Sequence, residues 1–135
     1  MFEDYARDFL ADPDLDRALR AFFDFTITSM TTGEPARGCL TTKTAIDSKA
    51  DGERINAALR RLLDGLEDLV RDRLSAEDTR LALPAADAAR VLVTMTRGIV
   101  VMERVHQDPD RLRATARSLI DMVLAGRRRA DPNGR

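Results

Sequence analysis

"PAADAARVLVTMTRGIVVMERVH", Pro84 to His106, offers water very little. On a helical wheel Asp87, Arg90, Thr94, Arg97 and Arg104 form one narrow polar stripe, broken only by Val101. Val91, Leu92, Val93, Met95, Ile99, Val100 and Met102 crowd the remaining surface. A helix with so little polar surface must be covered on more than one side. The spacing therefore predicts one side against the domain's own core and another against a neighbour.

The same helical spacing continues outward in both directions, and no stretch alternates apolar and polar residues as a half-buried strand does. Upstream, Ile55, Leu59, Leu62, Leu66, Leu69 and Val70 predict a helix over about 53–74, interrupted by Gly65, whose presence inside a helix costs up to about 1 kcal/mol against alanine. Periodicity fades over 75–83, and Pro84 is placed to open the next helix. Downstream, "DPD" at 108–110 supplies a cap and a first-position proline for a last helix to about Ala125, with Gly126 as its end signal.

Nearer the N-terminus, Phe2 to Leu10 reads as a short helix. A second "DPD" at 12–14 predicts Asp12 as the cap and Pro13 as the first residue of a helix bearing Leu15, Leu19, Phe22, Phe23, Ile27 and Met30. "TTGEP", 31–35, ends it, and a further helix is expected over about 39–49. The sum is an all-α antiparallel bundle of about six helices over residues 1–126, followed by a polar basic tail, 127–135.

A chain of 135 residues is the size of one domain. Its 22 basic and 23 acidic residues nearly cancel, which gives no electrostatic reason to expect nucleic acid or an anionic membrane as the main partner. No apolar run approaches the roughly 20 residues that span a bilayer, and "MFEDYARDF" lacks the basic start and apolar centre of a signal peptide. One cysteine permits no internal disulfide, so a reducing, cytoplasmic setting is expected.

Candidate chemistry is sparse. Cys39 would need a base and an orienting group to act as a nucleophile, and the single histidine, His106, sits at the far end of another helix. A lone Cys and a lone His do not make a protein-only zinc site, and no glycine-rich phosphate loop is present. Neither an enzyme nor a cofactor or metal is expected. The softer signal is apolar: Phe22, Phe23, Thr26 and Met30 on one helix and Met95, Ile99 and Met102 on another are spaced to line a mostly apolar cavity. Core filling gives the same pattern, so the residues alone leave both readings open.

"GCLTTKTAID", Gly38 to Asp47, set between these helices, resembles a segment of the C-terminal domain of TetR-like (tetracycline-repressor family) transcription regulators. In many members a loop ends in Gly-Cys-Leu, as Gly38, Cys39 and Leu40 do here, and the next helix closes in Ala-Leu-Glu, which Ala45, Ile46 and Asp47 match conservatively. Lys43 stands where Asn is frequent. "ALRAFFDFTITSM", "RINAALRRLLDGLEDLVRDRL" and "ADAARVLVTMTRGIVVM" are similar in order and length to the helices around that segment, the last with a mid-helix glycine, here Gly98.

The resemblance implies a domain that binds a small-molecule effector and forms a homodimer, its last two helices packing on their symmetry mates. It implies effector contacts from Phe22, Thr26, Met30, Leu62, Leu66, Met95, Ile99 and Met102. It implies partner contacts from Val93, Gly98, Val100, Val101, Leu119 and Val123. DNA would be reached only through a helix-turn-helix, and nothing in these residues matches one. The rival expectation is a ligand-free helical module that pairs with a full-length relative.

Overall fold

The computed structural model describes residues 2–31 and 52–124, with the side chains of Phe2, Glu3, Met30 and Val100 outside that description. The helix expected over 39–49, the Gly38-Cys39-Leu40 segment and the 127–135 tail lie outside the described residues. Within them the fold is all-α. There are five α-helices: α1 (Phe2–Leu10), α2 (Leu15–Thr31), α3 (Gly52–Ser75), α4 (Ala85–His106) and α5 (Pro109–Val123), with a 3-10 turn at Asp78–Arg80 before α4.

The two "DPD" signals work in different registers. At the second, Asp108 caps as expected: its Oδ1 accepts from the Arg111 N–H at 3.1 Å, and Pro109 is the first helical residue. At the first, Asp14 rather than Asp12 is the cap, its Oδ1 accepting from the Arg17 N–H at 3.0 Å. Asp12 instead turns the chain by accepting from the Asp14 N–H and pairs with the Arg17 guanidinium through both its oxygens. Starting α2 at Leu15 aims Leu15, Ala18, Leu19 and Phe22 inward, all fully buried. Pro84 likewise stands one residue before its helix, its carbonyl accepting from the Ala88 N–H. Helix α3 runs through Gly65 without a break.

Helix α4 is the central element. It packs against α3, α2 and α5, while α1 bridges α2 and α3 and α5 also lies along α2. This arrangement accounts for most of the apolar surface of α4 inside one protomer: Ala88, Ala89, Leu92, Val93 and Ile99 are all buried. Ion pairs Arg20–Asp121 at 3.2 Å and Arg113–Asp24 at 3.6 Å align α2 and α5 antiparallel. Gln107, in the left-handed region at φ 50°, and Asp108 make the tight link from α4 to α5. The start of α5 therefore lies beside the end of α4 and the end of α2.

Candidate effector site and dimer face

The side chains expected to contact an effector come from α2, α3 and α4. Phe22, Thr26, Leu66 and Ile99 are buried, and Leu62 and Met95 are half-buried. Phe22, Leu66 and Ile99 belong to one apolar core with Met95 packed against it. Met102 does not: it is 43% exposed. The reason is its angle on the wheel: three residues, or 300°, from the inward Ile99 leaves it 60° off the buried seam. The Met30 side chain lies outside the described residues.

The Thr26 hydroxyl donates to the Phe22 carbonyl at 2.9 Å, and the equally buried Thr96 hydroxyl donates to the Val93 carbonyl at 2.6 Å. Each threonine spends its one proton within its own helix and keeps only acceptor capacity for anything beside it. Two buried polar groups on α4, Thr96 and Glu103, have no counterpart among the expected site residues. A signal for them exists. Leu92, Thr96, Ile99 and Glu103 are spaced four, three and four apart, so Glu103 is an acid on the apolar seam, hidden by the charged Arg104 that follows it.

Partner-facing expectations are redistributed. Val93 and Val123 are buried in the chain's own core and Leu119 is 9% exposed, so these three offer a neighbour almost nothing. They point inward because α4 and α5 present them to α2 and α3. Gly98 is half-buried, Val101 is 54% exposed, and the side chain of Val100 lies outside the described residues. On α4 and α5 the large apolar side chains left open are Val101, Met102 and Val105 on the last turns of α4 and Met122 on α5, Val105 and Met122 at 72% and 68% exposure; elsewhere Tyr5 and Leu83 are also open. Among the described residues a β-carbon added at Gly98 would meet only Met95, its Sδ 3.9 Å away. Among the described residues nothing requires glycine there.

The description of LmrA/YxaF-like transcriptional regulators, C-terminal domain, a TetR-type family, matches residues 17–118, from the first turn of α2 to the middle of α5. The match covers about three quarters of the chain. The chain belongs to this TetR-like family. Comparison with curated proteins and with solved structures returned no match.

A TetR-like C-terminal domain is the regulatory part of a transcription regulator, and domains of this family generally dimerise and bind small-molecule effectors. In this TetR-like domain no helix of the described residues is long and apolar enough to cross a membrane. Among those residues no cluster of three His, Cys, Asp or Glu side chains is arranged to hold a metal ion. A cleft of about 590 Å³ is lined by Arg54, Ile55, Ala57, Ala58 and Arg61 on the first half of α3, and none of the expected effector residues lines it.

Proposed function

We propose that this chain is an effector-binding, homodimerising regulatory domain that reads no DNA itself. In a regulator carrying a DNA-reading head, effector occupancy would change the spacing of the two heads only through different affinities for two arrangements of the dimer. The observation that carries dimerisation is the exposed apolar strip Val101, Met102 and Val105 on α4. Such a strip, joined by Met122 at the other end of the antiparallel α4–α5 pair, suits a two-fold interface. An axis crossing the pair would set one protomer's Val101 and Val105 opposite the partner's Met122. Exposed Ala114 and Ser118 on α5 keep the ground between them low.

Support for effector binding comes from the family, with Phe22, Leu66, Met95 and Ile99 in one apolar core where α4 packs on α2 and α3. Light scattering across a dilution series, with Val101→Glu and Val105→Glu beside the parent chain, tests the dimer. The parent is expected to be dimeric at micromolar concentration and the double variant monomeric with its helicity unchanged. A monomeric parent removes the dimer. Specific nanomolar operator binding by residues 1–135 in a gel shift removes the claim that the domain does not read DNA. A thermal-shift screen in which no apolar compound stabilises the domain moves the function to a ligand-free pairing module.

A further inference from the structure

Arg71, Arg73 and Arg90 each pair with a carboxylate three or four residues away, namely Asp68, Glu77 and Asp87. The first half of α3 breaks that habit. Ala57 and Ala58 stand three and four residues after Arg54, and the same two alanines stand four and three residues before Arg61. The two arginines therefore share one face of the helix, with small residues and no acid between them. Side chains on a helix lean toward its N-terminus, so Arg61 reaches back over the alanines. Asp64, three residues past Arg61, makes no ion pair with it, and neither Arg54 nor Arg61 enters any ion pair or side-chain hydrogen bond among the described residues.

These residues line the cleft of about 590 Å³, and no carboxylate is among the five that do so. The volume falls within the roughly 300–1,000 Å³ of small-molecule sites. Ile55 joins the cleft to the apolar seam of α3 at the end where packing thins: Leu66, Val70 and Leu74 are fully buried, whereas Ile55, Leu59 and Leu62 are only half-buried. Both guanidinium groups are exposed, so water carries their charge in the empty domain at little cost. The smaller cleft between α2 and α5, about 150 Å³, also has arginines, but Asp24 lines it and Asp16 and Asp121 already answer Arg20. Only the α3 cleft combines unanswered cations with apolar surface among these two.

We propose that Arg54 and Arg61 recognise the charge of the effector, and that the effector is an apolar carboxylic acid bound in its ionised form. The proposal rests on the effector-binding reading above and names the class of molecule it takes. Arg61 donates two parallel hydrogen bonds to the carboxylate oxygens, a geometry its planar fork matches, while Arg54 adds a second positive charge two turns away. The apolar body lies over Ala57 and Ala58 and against Ile55. A neutral molecule of equal shape keeps the apolar contact and forfeits the charge-assisted bonds. At a site open to water that difference is on the order of tenfold in affinity.

Calorimetric titration of the whole chain with 4-phenylbutanoate and with 4-phenylbutan-1-ol tests this. The acid is expected to bind about tenfold more tightly than the alcohol at low salt, and the preference should shrink as salt is added. In the Arg54→Gln, Arg61→Gln double variant it should fall below about twofold while the alcohol's affinity holds. Arg60→Gln, which removes an exposed charge of the same helix outside the cleft, should leave the preference in place. Equal affinities in the parent chain, an acid preference kept in the double variant, or an equal loss in Arg60→Gln overturn the proposal and leave effector binding standing. Inorganic phosphate bound as tightly as the acid overturns it too, because an apolar body is then unnecessary. Silence of both phenyl probes toward the parent overturns the proposal and counts against effector binding as well.

Discussion

Arg73 is the side chain on which the start of the bundle is hung, and replacing it yields a large, specific loss. Its Nε donates to the Leu10 carbonyl at 2.8 Å. Its Nη2 donates to the carbonyls of Asp12 at 2.9 Å and Pro13 at 3.3 Å, and its Nη1 donates to Glu77 Oε2 at 2.9 Å. One guanidinium thus closes the last carbonyls of α1 and the turn into α2 onto the end of α3. The side chain is only 16% exposed, so these bonds are partly shielded from water.

Hydrogen bonds from a charged donor net about 1.5–3 kcal/mol each, but they do not add when one group makes several. The Asp12 and Pro13 carbonyls lie at an exposed turn and regain water after the change, whereas Leu10 is buried and its carbonyl does not readily do so. Counting the Leu10 bond in full and the others at a fraction gives about 2–4 kcal/mol for Arg73→Met, which keeps the apolar stem. For a domain of this size that is a fall in Tm of about 6–15 °C. Arg73→Lys should recover little of it, because a point charge cannot match the planar fork that reaches both sides of the turn. Thermal and urea denaturation followed by circular dichroism measure the loss. A Tm for Arg73→Met within about 1 °C of the parent, or full rescue by lysine, would refute the clamp.

Two further outcomes are expected. Burial alone would raise the Glu77 carboxyl, but hydrogen bonds from Arg73 and Arg80 outweigh it and hold the group below its ordinary 4.5. Its folded value is the lower one, so it stabilises the fold above about pH 4.5 and this is lost as pH falls through the folded value. Glu77→Gln should flatten that part of a calorimetric Tm profile run from pH 3 to 7, and an unchanged profile would show the pair contributes nothing. Gly98→Ala should raise the stability of the folded protomer by up to about 1 kcal/mol, since among the described residues the added methyl meets only Met95, and chemical denaturation at dimer-dissociating dilution reads it.

How much of this was legible in the residues differs from element to element. Helices α1, α3 and α5 fall within a residue or two of where periodicity and punctuation put them, because apolar spacing and capping act locally. The α2 cap slipped from Asp12 to Asp14, since both aspartates are competent caps and the choice belongs to the packing of Leu15 and Leu19. Pocket and interface sets were harder. Val93 and Val123 differ from Val101 and Val105 only in which neighbour covers them, and that depends on α4 lying between α2, α3 and α5, which no single helix encodes. Glu103 could be placed on the seam by counting, yet an acid in a charged helix end reads as solvated until its burial is known.

Gly98 bears on the proposed dimer. Glycine in mid-helix is a liability where, among the described residues, a methyl would meet only Met95, so its use makes sense if a partner comes close to that backbone. Where Gly98 faces a partner, Gly98→Ala should weaken the dimer in a light-scattering dilution series while raising the stability of the Val101→Glu, Val105→Glu monomer. A dimer dissociation constant unchanged by Gly98→Ala would take that backbone out of the interface.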